Sequence, residues 1–257
     1  MTNPIILQAV KDLSSPLAER REQALRALTA NPAEASPELL AILEKVLAVP
    51  VSAPVALSDW SWFLAAYLLA QFRDKRALPI LLKQFSLPAE HLDRLFGDIL
   101  AEDLPRLLAT LTHDDPTPLK DLIGDGTMHD AVRASALWGY TLQASVGTVP
   151  MEEAQAFFRE LFGSLPRRRS YVWTSLIAGC AALHVKDLRR DVLRAYEEGL
   201  LDANAYSMKE VLKEWALTPE ESRKRLAEES GGLIKDVFEE IEFWPWEEEA
   251  GQQAREE

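Results

Sequence analysis

The sequence predicts an all-α fold, a single curved solenoid of antiparallel helical pairs. The stretch from Trp60 to Phe85, WSWFLAAYLLAQFRDKRALPILLKQF, reads as two helices joined by a tight turn. Between Trp60 and Phe72 only Ser61 and Gln71 are plainly polar, so the first helix is buried. The second is one-sided, with Leu78, Leu81, Leu82 and Phe85 at i, i+3, i+4 and i+7. The same plan recurs in ASALWGYTLQASVGTVPMEEAQAFFRELF and IAGCAALHVKDLRRDVLRAYEEGLL: a small-residue helix, a turn, then an amphipathic helix. Aligning Ala66, Gly97, Ala136 and Ala178 gives spacings of 31, 39 and 42 residues, periods that belong to helical-pair repeats. Small residues let the inner backbones approach closely, and the amphipathic partners cover the outside. No stretch of useful length alternates as a strand does. A non-repeating helical bundle is the alternative.

Taken in order, Asn3 to Leu13 forms an amphipathic helix with Ile5, Ile6, Ala9, Val10 and Leu13 on one side. Ser14-Ser15-Pro16 restarts a helix whose apolar face is Leu17, Ala24, Leu25 and Leu28. Ser36-Pro37 opens the next, ELLAILEKVL. Ala48 to Leu57 carries two prolines and forms a loop, and Ser58 or Asp59 caps the buried helix. Asp74 caps the helix after the turn. Ser86-Leu87-Pro88 stops that helix; Ala89 to Phe96 is a short one, and Leu104, Leu107, Leu108 and Leu111 mark another. Pro118 to Ile123, Asp130 to Gln143, Met151 to Phe162, Arg168 to Leu183, Lys186 to Leu200 and Ser207 to Trp215 follow. Thr218-Pro219-Glu220-Glu221 is a helix start with a Thr cap, an internal Pro and acids in the first turn. Gly231-Gly232 stops one helix before the next. The resulting division is a repeat domain over residues 1–217, capping helices over 218–242 and an acidic, flexible tail over 243–257.

The apolar fraction of 47% is that of a globular protein. The longest apolar stretch, Phe63 to Ala70, is too short to span a bilayer, and the N-terminus lacks the basic start and cleavage site of a signal peptide. A soluble, cytoplasmic protein without membrane contact is expected. The single cysteine, Cys180, excludes an internal disulfide and a multi-Cys zinc site; its small apolar neighbours predict a buried thiol. The net charge is −13, and residues 220–257 contribute 13 acids against 5 bases. That charge repels nucleic acid, though a local basic patch remains compatible with it.

The run FRDKRALPILLKQFSLPAEHLDRLFGDILAEDLPRLLATL, Phe72 to Leu111, resembles the bacterial family catalogued as domain of unknown function 1186. VRASALWGYTLQASVGTVPMEEAQAFFREL and AYEEGLLDANAYSMKEV are similar to it as well, so the resemblance covers roughly Trp62 to Val211. It implies a HEAT-like array, a right-handed superhelix of helical pairs, but no activity and no catalytic residues. Some relatives end in a cysteine- and histidine-rich zinc module. This chain ends in FWPWEEEAGQQAREE, without Cys or His, so that module's function does not transfer.

Catalytic signatures are absent from the sequence: no HExxH, no G-x-S-x-G, no phosphate-cradling glycine loop and no dinucleotide fingerprint, hence no cofactor is expected. The histidines His91, His113, His129 and His184 lie in different elements. His113-Asp114-Asp115 and Asp125 with His129-Asp130 flank one short helix and would form a metal or acid/base site if they met; ordinary turn and cap chemistry is the favoured reading. Asp98 and Glu102 are four apart, a spacing that suits paired carboxylates, while Asp98 as a cap and Glu102-Asp103 in a first turn is the structural alternative. Arg167, Arg168 and Arg169 open the helix of Tyr171 and Trp173, and Arg189, Arg190 and Arg194 come from the next. Aligned, these arginines would dock an anion or acidic peptide; alternatively they pair with the chain's own acids. Phe243-Trp244-Pro245-Trp246, beside Glu247-Glu248-Glu249, either anchors a partner or folds back as a cap. The leading expectation is a non-catalytic module that binds a protein or peptide through Trp244, Pro245, Trp246, Arg167, Arg168, Arg169 and Arg190. An enzyme or small-ligand protein using Asp98, Glu102, His113 and His129 comes second, and nucleic-acid binding third.

Overall fold

The computed structural model describes residues 3–48, 61–96, 99–202 and 204–241, and leaves aside the side chains of residues 91, 93–95, 99 and 100. Trp60, most of the proline loop with the Ser58 and Asp59 caps, Gly97, Asp98, the His91 side chain and the segment holding Trp244, Pro245 and Trp246 lie outside this description. Among the described residues every regular element is a helix. They form two compact units: residues up to Leu87 together with those from Ile234 onward, and Pro88–Leu233.

The first unit begins with α1 (Pro4–Asp12), α2 (Ala18–Thr29), α3 (Pro32–Val46), α4 (Ser61–Gln71) and α5 (Ala77–Phe85). Of α4, Ser61, Trp62 and Leu64 to Ala70 are buried, as the near-continuous apolar run requires. Trp62 Nε1 donates to Gln84 Oε1 (3.3 Å), and Gln84 Nε2 donates to the Leu43 carbonyl (2.5 Å), so one buried amide joins α3, α4 and α5.

Several expected starts move. α3 begins at Pro32, with Pro37 inside the helix rather than opening it. Pro37 is exposed, while Ala35 and Ser36 extend the buried face upstream; that burial outweighs the backbone hydrogen bond Pro37 lacks. Pro16 precedes α2, and Ser15 Oγ accepts from Leu17 N–H. Asp74 does not cap α5. It accepts instead from the backbone and guanidinium of Arg76 (2.6–3.1 Å), which holds its carboxyl below the usual range.

The second unit holds α6 (Ala89–Phe96), α7 (Ile99–Glu102), α8 (Leu104–Leu111), α9 (Thr117–Gly124), α10 (Asp130–Ser145), α11 (Met151–Ser164), α12 (Tyr171–Ala182), α13 (Arg189–Glu197), α14 (Met208–Ala216) and α15 (Pro219–Ser230). The buried helix α10 packs on α8, α9 and α12, and α12 packs on α14. Glycine sets the closeness of two of these contacts. A Cβ on Gly139 of α10 would lie 2.8 Å from the Pro105 carbonyl oxygen of α8, and one on Gly179 of α12 would lie 2.8 Å from Thr141 Oγ1 of α10. Gln143 Nε2 ties α10 to the Ala109 carbonyl and to Thr112 Oγ1, both at 2.9 Å.

Ser207 with Glu210 and Thr218 with Glu221 form reciprocal capping boxes at the starts of α14 and α15. Gly231 ends α15 in the left-handed conformation (φ 68°), and Arg106 donates to the carbonyls of Gly231 and Gly232. The last helix, α16 (Val237–Ile241), belongs to the first unit; it packs on α4, and its Val237 N–H donates to Gln71 Oε1 (2.8 Å).

Candidate functional site

The arginine triplet lies on an irregular segment between α11 and α12, not inside the helix expected from Arg168 onward. Tertiary hydrogen bonds pin this segment at both ends. The buried Trp173 donates through Nε1 to the Pro166 carbonyl (3.0 Å), and Ser170 N–H donates to the Leu200 carbonyl (3.1 Å). A backbone held in this way cannot form the first turn of a helix at Arg168. The side chains then fan out toward three different places.

Arg167 binds Glu198 beyond α13, with Nε at 2.7 Å and Nη2 at 2.5 Å, while its guanidinium lies 5.2 Å from the Trp173 ring centre. Arg168 reaches Asp130 at the start of α10 (3.3 Å). Asp130 also accepts from Arg133 (3.1 Å), whose buried guanidinium donates on to the Ile123 carbonyl. Arg169 pairs with Asp202 (2.5 Å). The Asn204 backbone N–H, with help from Arg169, holds the Asp202 carboxyl below its usual range. Tyr171, the first residue of α12, is 65% exposed beside this row. The alternative of pairing with the chain's own acids is what the structure contains.

Arg189, Arg190 and Arg194 lie exposed on α13. Among the described residues none of them forms an ion pair with Glu198, Asp202 or Asp130. Each arginine of the triplet thus has a carboxylate partner, while α13 adds three exposed arginines. Exposed ion pairs of this kind are worth about 0–1 kcal/mol each, so an incoming acid can replace a resident one at small cost.

The second constellation does not assemble among the described residues. His113 Nδ1 lies 2.5 Å from Asp114, whereas His129 Nδ1 caps α10 by accepting from Ala131 N–H (3.2 Å). Asp125 accepts from the backbone and hydroxyl of Thr127, which keeps its carboxyl below the usual range. Glu102 is exposed, and no hydrogen bond or ion pair joins it, His113 and His129 among the described residues. Nor do three or more His, Cys, Asp or Glu side chains gather there in a way that would hold a metal ion. Cys180 is fully buried, and its thiol is pushed well above the usual range by burial.

One polar network has no counterpart in the sequence reading. His184, at φ 56°, places Nε2 at 2.9 Å from Ser222 Oγ, and that hydroxyl donates to Glu214 (3.4 Å). Glu214 in turn pairs with Arg225. With the hydroxyl proton directed at Glu214, Nε2 carries a proton and donates to Ser222. The buried Nδ1 has no partner among the described residues. Desolvation first, then Lys186 and Arg223, hold the imidazole below its usual pKa. Ser222 is 1% exposed, so its hydroxyl is unavailable to substrate; the trio acts as a tie between α15, α14 and the turn after α12. Residues 184, 214 and 222 share no motif, so no local signal announces the network.

Comparison with known proteins places these features in a family. The family described as "Protein of unknown function (DUF1186)" matches residues 7–248. Uncharacterized proteins of Chlamydia trachomatis and Chlamydia muridarum are each 36% identical over 184 residues, covering 70% of this chain and 72% of theirs. No solved structure matches. Among the described residues no helix is long and apolar enough to cross a membrane.

Proposed function

The chain belongs to the DUF1186 family, and for it we propose a non-catalytic, cytoplasmic helical-repeat module that binds a protein or peptide. The observation that carries this reading is Tyr171. It is a large aromatic, 65% exposed, that follows Arg167, Arg168 and Arg169 on a backbone pinned at both ends. Tyrosine and arginine are the residues that dominate binding energy at protein interfaces. Each arginine already has a carboxylate partner, so a docking surface can form by exchanging ion pairs around an aromatic anchor. Arg190 extends the same surface in this reading.

A HEAT-like solenoid is part of the proposal. It is supported within the second unit by the row α8, α10, α12 and α14, each packed on the next, with glycine at two of the contacts. Nucleic acid is disfavoured by the net charge of −13 and by the acids paired to the arginines.

A photo-crosslinking residue at position 171 tests the assignment, with position 146, another exposed apolar site, as the control. A reproducible adduct at 171 alone that disappears with Arg168→Glu and Arg169→Glu is expected. Equal labelling at both positions, or turnover on a substrate panel without any adduct, overturns it.

A further inference from the structure

We infer, on the basis of the protein- or peptide-binding reading above, that the exposed face of α13 receives a short acidic segment of a partner protein. The segment lies extended along the helix and is held by Arg190, Arg194 and Arg167. Arg190, Arg194 and Glu198 follow one another at intervals of four residues along α13 and its C-terminal cap. They therefore share one side of the helix, with a rise of about 6 Å between neighbours. Arg167 Nε donates to the Glu198 carboxylate (2.7 Å), so a third guanidinium continues the row. The side chains of Arg190 and Arg194 are exposed.

The acids around this row are committed elsewhere. Asp187, just before α13, pairs with Arg159 of α11 (3.3 Å), Glu198 with Arg167 and Asp202 with Arg169. Asp191 and Glu197 are the other acids of α13, and among the described residues neither forms an ion pair with Arg190 or Arg194. Two guanidinium forks thus stand exposed with their donors open. The group that matches such a fork is a carboxylate, which accepts two parallel N–H donors.

The spacing selects the form of the partner. In extended chain, side chains two apart lie on one side, about 6–7 Å from each other. Alternate acids of an extended segment therefore meet successive arginines of the row. An acidic helix repeats a similar step at every fourth residue, but helices pack through an apolar stripe. Leu193 is the one large apolar side chain exposed on α13. A nucleic-acid strand would bring a phosphate at every step, past the exposed Glu197 and against a net charge of −13. A peptide leaves the place beside Glu197 to a neutral residue. Tyr171 stands near the Arg167 end of the row, because the preceding Ser170 N–H donates to the Leu200 carbonyl, two residues beyond Glu198 (3.1 Å). It offers aromatic surface to an apolar residue that follows the acids.

Fluorescence anisotropy of a fluorescein-labelled decapeptide of alternating Glu and Ser, titrated with the full chain at low ionic strength, provides the test. Expected is binding that weakens with salt and falls about tenfold or more when Arg190→Glu and Arg194→Glu are combined. Lys11→Glu with Lys45→Glu, at two exposed positions of the first unit, changes the net charge equally and should leave the affinity within about twofold. Should the doubly reversed α13 lose its helical signal in circular dichroism, Arg190→Gln with Arg194→Gln must produce the same loss of binding. Equal losses in the two charge-reversed pairs overturn the proposal. So does equal or tighter binding of an oligothymidylate of the same length, or of an alanine-rich helical peptide with Glu at every fourth residue. Absence of peptide binding while an adduct at position 171 still forms overturns this proposal alone; absence of both overturns the binding module with it.

Discussion

Gly139→Ala probes the close approach of α8 and α10 directly. The added Cβ would stand 2.8 Å from the Pro105 carbonyl oxygen and 3.5 Å from the Ala109 backbone nitrogen. The first contact falls roughly 0.6 Å short of ordinary van der Waals distance. The obstructing atom is backbone, so no rotamer change relieves it; α8 and α10 must separate. Overpacking of this kind costs about 1–3 kcal/mol, while replacing glycine in a helix returns up to about 1 kcal/mol. The net expectation is a loss of about 0–2 kcal/mol, or a drop in Tm of up to roughly 8 °C for a chain of this size. Gly163 in α11 supplies the matched control: a Cβ there meets nothing within 4 Å. Gly163→Ala should therefore stabilise by about 0.5 kcal/mol, the propensity gain being reduced near the helix end. Both sites lie in the second unit, so urea melts followed by circular dichroism report them through the same transition. If Gly139→Ala proved as stable as Gly163→Ala, the close backbone contact would be refuted, and with it the explanation for the small residues of α10.

Three further perturbations test other parts of the chain. Gln84→Ala removes the acceptor of Trp62 and the donor to Leu43 in a fully buried place, and should cost about 2–4 kcal/mol in urea melts; a loss below 1 kcal/mol would dismiss the three-helix tie. Thr218→Ala breaks a capping box and should destabilise by about 1 kcal/mol, with Thr218→Ser close to neutral; equal losses in both would point away from the hydroxyl. His184 has its pKa lowered in the folded chain, so protonation favours the unfolded state, and stability should fall as pH drops through 6.5. His184→Asn, which tolerates the positive φ, should flatten the change in urea midpoint between pH 7.5 and 5.5; an unaltered slope would assign the pH dependence elsewhere. Below that window the lowered carboxyls of Asp74, Asp125 and Asp202 lose their share of stability in turn, whichever residue stands at 184.

The extent to which the chain could be read in advance varies with the range of the forces involved. The Thr218 cap involves four consecutive residues, and it forms as expected because every partner is local. The burial of α4 follows from an apolar run that no surface helix carries. Asp74 had two local options, the helix start and Arg76, and the guanidinium fork won because it offers more than one donor. Pro37 read as a helix start because proline favours that position, yet the buried face around it runs further upstream. That decision belongs to packing, which a single sequence leaves unseen.

Helical content, the alternation of small-residue and amphipathic helices, and the burial of Cys180 all follow from periodicity and composition, forces that act within a few residues. Tertiary contacts decided the rest. They assigned Glu198, Asp130 and Asp202 to the three arginines and brought His184, Ser222 and Glu214 together from three separate elements. They also kept His113 and His129 on separate partners. Which charge meets which is set by where the helices pack, and helix packing depends on shape complementarity between surfaces far apart in the chain.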